Sequence, residues 1–158
     1  MRLPKPVRQN LRFLVAEASE QVGHLTSLLE SPSPTLAGKI LERRGYPYNL
    51  KMRIHDRCVE AVRRTKATET IETSSLRSAE AISSQLERLT DLVHESVGQL
   101  DGQKRKRSLK ALRSTGSLDD VLKGVQLIRD GIDEPGTKTA SKIGTIARRI
   151  SGKYDTFY

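Results

Sequence analysis

Three long segments of this chain repeat apolar residues in steps of three and four, and that spacing leaves almost no choice of fold. Over 7–30 the set is Val7, Leu11, Leu14, Val15, Ala18, Val22, Leu25, Leu28 and Leu29. On a helix with about 100° per residue these fall on one continuous face. A second pattern spans 36–64, through Leu36, Ile40, Leu50, Ile54, Cys58 and Val62. A third spans 68–100, through Ile71, Ala79, Ile82, Leu86, Leu89, Val93, Val97 and Leu100. None of them alternates with period two, so a sheet is not indicated. With only 2 Phe, 4 Tyr and no Trp among 158 residues, the core has to be aliphatic.

Punctuation between the patterns is equally plain. The Ser-Pro-Ser-Pro run at 31–34 ends the first helix, because proline lacks the N–H and biases its predecessor away from the helical region. Gly45-Tyr46-Pro47 falls inside the second pattern. The apolar phase is roughly kept across it, which predicts one helix kinked at Pro47. Residues 68–100 carry no Gly or Pro before Gly98. The expectation is an antiparallel three-helix bundle over 1–101, with Leu14, Leu25, Ile54, Leu86, Leu89 and Val93 in its core.

Beyond it, 102–116 reads as a basic linker. Ser117 and Asp120 form a capping-box-like start for a helix over about 118–132. Asp133-Glu134-Pro135-Gly136-Thr137 makes a turn, and a last helix follows through Ile143, Ile146, Ala147, Ile150 and Tyr154. A hairpin cannot bury both apolar stripes by itself. The 117–158 unit is therefore expected to cover them on the bundle or on another chain, which makes a homo-oligomer or a partner protein the expectation. Ala37-Gly38-Lys39-Ile40 and Ala140-Ser141-Lys142-Ile143 each follow a turn and precede paired arginines. That echo fits an incomplete second repeat that lacks its third helix.

Composition narrows function. No run of about 18 apolar residues is present to span a membrane, and the N-terminus lacks the apolar region of a secretory signal; a cytoplasmic protein is the expectation. A single Cys58 excludes an intrachain disulfide. No phosphate-binding loop, dinucleotide fingerprint, zinc-protease motif or nucleophile elbow occurs, and no enzymatic activity is expected. The net charge of +9 is uneven. Residues 1–100 hold 15 Lys/Arg against 12 Asp/Glu, and 101–158 hold 13 against 7. Lys104, Arg105, Lys106, Arg107, Lys110 and Arg113 form a basic block that suits phosphate groups or an acidic protein face. No aromatic residue accompanies it for base stacking.

On the third pattern, Glu80, Glu87, Asp91 and His94 lie within about 60° of one another at 100° per residue. Glu87 and Asp91, one turn apart, would be the centre of a divalent-metal site, with Glu80 and His94 as further ligands. The alternative is a solvated acidic face paired with arginines such as Arg77 or Arg88.

Three stretches resemble the PhoU family. They are the first helix with its continuation, LRFLVAEASEQVGHLTSLLESPSPTLAGKIL; Asn49-Leu50-Lys51-Met52-Arg53-Ile54; and Leu86-Glu87-Arg88-Leu89-Thr90-Asp91, which is similar to that family's L-E-R-I-x-D signature. The resemblance covers residues 7–100 and extends to 117–158 only as a partial repeat. It implies an all-α protein of three-helix repeats that regulates phosphate uptake and signalling in the cytoplasm, alongside a phosphate transporter and a sensor kinase. It also implies an iron, zinc or other divalent metal held by acidic motifs, of which Glu87 and Asp91 match one. The family's other acidic motif has no counterpart in Arg43-Arg44-Gly45-Tyr46-Pro47-Tyr48-Asn49; Asp56 and Glu60 come later at the same spacing. The competing reading is a basic helical nucleic-acid-binding or scaffold protein that uses residues 104–113 and 138–153.

Overall fold

A computed structural model describes residues 3–64, 73–100 and 116–155. Six helices account for nearly all of them: α1 (Lys5–Glu30), α2 (Pro34–Glu42), α3 (Tyr46–Arg64), α4 (Thr73–Gly98), α5 (Ser117–Asp133) and α6 (Thr137–Asp155). The fold is an all-α bundle, with no strand among the described residues. No helix among them is long and apolar enough to cross a membrane.

Local chemistry sets the boundaries. Pro4 and Pro6 stand at the start of α1, where an N–H would find no partner in any case. Ser31 leaves the helix in an extended conformation. Ser33 then caps α2 by accepting a hydrogen bond from the Leu36 amide, with Pro34 in the first turn. The expected kinked helix is instead two helices. Arg43 closes α2, and Gly45 adopts φ +88°, a left-handed conformation that ends helices and that glycine takes without a side-chain penalty. Pro47 is thus the second residue of α3 rather than an interior proline, and it is buried. The helix is interrupted here although the apolar phase continues.

The start of α5 also departs from expectation. Its cap residue is Gly116, left-handed at φ +61° and without a side-chain cap. Asp120 does not turn back on the helix start but faces Arg149 and Lys153. The basic linker residues Lys104, Arg105, Lys106, Arg107, Lys110 and Arg113 lie outside the described residues.

Helix α1 lies at the centre and touches α2, α3, α4 and α5. Its ten buried positions, from Val7 to Leu28, span an arc of about 160° at 100° per residue, too wide for one neighbour to cover. The helix directions follow from which residues meet. Lys51 pairs with Glu87, His55 with Glu80, and Cys58 reaches the Leu76 carbonyl, so α3 and α4 run antiparallel. Arg12 pairs with Asp133, so the start of α1 lies beside the end of α5.

Two apolar clusters result. One joins the first half of α1 to Leu50, Ile54 and Cys58 of α3, to Leu76, Ala79 and Leu86 of α4, and to Val125 and Ile132 of α5. The other joins Val22, Leu25 and Leu28 to Ile40 of α2 and to Val93 and Val97 of α4. The break at 43–45 explains the division: α3 covers one end of α1 and α2 the other. Helix α6 packs on α5. Its isoleucines Ile143, Ile146 and Ile150 are half-buried.

Of the six residues expected in the core, Leu14, Leu25, Ile54, Leu86 and Val93 are buried, and Leu89 is only partly so. Leu14→Ala and Ile54→Ala should each cost about 2–5 kcal/mol, as for deletion of a fully buried aliphatic side chain. Leu89→Ala should cost clearly less. Urea denaturation of the three variants checks this order, and a Leu89 variant as unstable as the other two would contradict the packing.

Candidate functional site

The acidic residues singled out on α4 do not converge. Buried positions of α4 run from Leu76 through Ala79, Ser83, Leu86, Thr90, Val93 and His94 to Val97. Glu80 and Glu87 flank that arc on the side of α3. There Glu87 Oε2 accepts a hydrogen bond from Lys51 Nζ at 2.9 Å, and Glu80 Oε1 lies 2.7 Å from His55 Nδ1. Asp91 is exposed. His94 falls on the inner edge of the arc and is buried. One helical face in the sequence is therefore divided by packing into a seam, a solvent position and an interior position. Lys51 places an ammonium directly against Glu87, where an opposing acidic motif would have added negative charge. Among the described residues, no group of three or more His, Cys, Asp and Glu side chains stands close enough together to hold a metal ion.

What the fold does bring together is a polar layer between the two apolar clusters. Glu17 of α1 is buried, and its carboxylate accepts hydrogen bonds from Arg43 Nε at 3.0 Å and from Gln21 Nε2 at 2.9 Å; Arg43 also reaches its second oxygen. Burial opposes ionisation of Glu17. The hydrogen bonds from Arg43 and Gln21 and the Arg43 charge outweigh it, with a further contribution from His94, and hold the carboxyl below its ordinary range. Arg43 also lies over the Tyr46 ring, 4.7 Å from its centre. One side chain therefore ties the α2–α3 turn to the middle of α1. Gln21 Oε1, His24 Nδ1 and both ring nitrogens of His94 are buried without a hydrogen-bond partner.

A second buried carboxylate fastens the hairpin. Asp120 accepts from Lys153 Nζ at 2.7 Å and from Arg149. The Lys153 hydrogen bond outweighs burial and, with Arg149, draws the Asp120 carboxyl below its ordinary range. Two of the cations expected to form a basic 138–153 face are thus turned onto α5. Cys58 is buried; removal from water pushes its thiol up to about 11, with the Glu80 charge acting in the same direction. It packs as a small apolar group.

Glu17, Gln21, Arg43 and Asp120 were not apparent as site residues in the sequence. A signal was present for two of them. Gln21 lies inside the apolar arc of α1 and Glu17 at its edge, where an unpaired amide or acid is costly and a partner is required.

Compared with known proteins, the chain matches no family model, no curated sequence and no solved structure.

The Glu17 clasp has a pH signature. A carboxyl held below its ordinary value of 4.5 contributes stability that is complete above that value and is lost as the pH falls through the folded-state pKa. The protein should therefore lose stability on acidification below about pH 4.5. Glu17→Gln should flatten that loss. Arg43→Ala should destabilise more than Glu17→Gln at neutral pH, because it leaves a buried carboxylate unpaired. Denaturation across a pH series measures both. An unchanged acid limb in Glu17→Gln would remove Glu17 from this role.

Proposed function

We infer that this chain is a PhoU-like regulator of phosphate transport and signalling that acts in the cytoplasm by docking and performs no chemistry of its own. Residues 1–101, which carry α1–α4, serve as the PhoU-like unit, and 117–158 as the partial second repeat. Its partners are a phosphate transporter or a sensor kinase, with a second copy of the chain as a further contact. This reading rests on the three sequence stretches that resemble the family. The observation that supports docking is an open groove of about 410 Å³ between the first half of α4 and the α5–α6 hairpin. Leu11, Ala79, Ile82, Ile128, Ile132 and Ile143 supply its apolar walls, and none of its lining residues is charged. An uncharged groove flanked by small residues suits the apolar face of a helix from another chain.

The nucleic-acid reading draws less support. Arg149 and Lys153 of the 138–153 segment are engaged by Asp120, and no stacking aromatic lies among them.

Metal dependence through Glu87 and Asp91, with Glu80 and His94, is the second part of the proposal. Two carboxylates one turn apart attract a divalent ion but leave most of its coordination to water or to another chain. Lys51 and His55 would have to release Glu87 and Glu80 first.

Deleting the gene in its native host should alter phosphate uptake and the output of phosphate-responsive genes. Wild-type protein should restore both, and Ile143→Glu, which places a charge in the groove, should not. Unaltered uptake after deletion would end the phosphate assignment. Restoration by Ile143→Glu would end the role of the groove. For the metal, calorimetric titration with iron, zinc and magnesium should give weak binding that is lost in the Glu87→Ala, Asp91→Ala double variant. Binding unchanged in that variant would exclude these two residues.

A further inference from the structure

The corner between α2 and α3 interleaves cations with exposed aromatic rings. Residues 43–55 carry Arg43, Arg44, Lys51 and Arg53 and no Asp or Glu. The Arg43 guanidinium lies 4.7 Å from the centre of the Tyr46 ring, and the Lys51 amine 4.8 Å from that of Tyr48. A cation on one face does not enclose either ring: Tyr46 is 41% exposed and Tyr48 50%. Neither serves the core, which Pro47, Leu50 and Ile54 enter from the opposite side of α3. At about 100° per residue, Tyr48, Met52, Asn49, Arg53 and Tyr46 span an outward arc of about 160°. All five are exposed.

We propose that this corner binds single-stranded nucleic acid, with bases stacked on Tyr46 and Tyr48 and phosphates received by Arg44 and Arg53. A ring backed by a cation on one face presents the other as a flat platform, and every base has a π face to lay on it. The charges are divided between the two tasks. Arg43 and Lys51, which back the rings, are balanced by Glu17 and Glu87. Arg44 and Arg53 are exposed and make no ion pair among the described residues, so their charge is available to a phosphate chain.

Other anionic partners fit this surface less well. A protein interface gathers apolar side chains at its centre with polar ones around them, whereas here Asn49 falls between the two rings on the outward arc. A duplex keeps its bases stacked internally and would engage the arginines alone. The corner contributes no residue to the groove between α4 and the hairpin. It is separate from the cations of 104–113 and 138–153, and it does not depend on the regulatory role inferred above.

Fluorescence anisotropy of the full chain with labelled oligouridylate and oligothymidylate of about 12 nucleotides tests it, with poly-glutamate as a polyanion that has no bases. The expected result is saturable binding of one or both oligonucleotides, the tighter one identifying RNA or DNA. Affinity should fall at least about fivefold in Tyr46→Ala and in Tyr48→Ala and be kept in Tyr48→Phe, which retains the ring. Arg44→Gln with Arg53→Gln should lower the slope of log affinity against log salt by about 1.4, two phosphates at about 0.7 each. Poly-glutamate binding should be unchanged in both alanine variants. Tyr48 faces away from the core, so its variant reports on binding without risk to the fold, and circular dichroism verifies folding of Tyr46→Ala. No oligonucleotide binding, or equal affinity in wild type and Tyr48→Ala, would overturn the assignment. So would an equal loss of poly-glutamate binding in Tyr48→Ala, which would mark the corner as a site for an acidic protein face.

Discussion

Burial of α1 is the constraint on which the rest of the structure depends. A stripe of ordinary width is covered by one or two neighbours. The arc on α1 is wide enough to need α3 and α4 on the bundle side and α5 on the other, with α2 over the end that α3 does not reach. The hairpin is therefore part of the bundle rather than an appendage. The break at Arg43-Arg44-Gly45, with Gly45 in the left-handed conformation, divides that cover between two helices. In succession along α1, α2 meets its second half and α3 its first.

Charge then selects among the arrangements that apolar packing alone would tolerate. Glu17 and Asp120 are buried carboxylates, and each is held by cations from a different element: Arg43 in the α2–α3 turn, and Arg149 and Lys153 on α6. Replacing such a group by a well-packed apolar one often costs nothing in stability, whereas stranding it is expensive. Its contribution is to register. Glu17 fixes where the turn sits along α1, and Asp120 fixes how far α6 slides along α5. Lys51–Glu87 and His55–Glu80 repeat the device more weakly along the α3–α4 seam.

Polar groups on α1 that serve this purpose also leave unsatisfied neighbours. Gln21 donates from Nε2 to Glu17 and leaves its buried Oε1 without a donor. The groove between α4 and α5–α6 has the opposite character, being open, uncharged and bordered by serine, glycine and alanine. The groove suits the apolar face of a helix, whereas the α1–α2 mouth is lined by charges of both signs.

Helix positions, the aliphatic core and the ends at the Ser-Pro-Ser-Pro run and at Pro135-Gly136 were legible in the sequence, because apolar periodicity and proline or glycine chemistry act locally. The break at Gly45 was not: a retained apolar phase fits a kink as well as a turn, and only packing against α1 distinguishes them. The acidic face of α4 was legible as a face, but not as what it became. Periodicity places Glu80, Glu87, Asp91 and His94 on one side of a helix and carries no information about neighbours. Tertiary structure put Lys51 against Glu87, His55 against Glu80 and water against Asp91, and enclosed His94. The clasps of Glu17 by Arg43 and of Asp120 by Arg149 and Lys153 join residues 26, 29 and 33 positions apart. No local rule specifies such pairs, because they exist only once helices from separate parts of the chain have packed together.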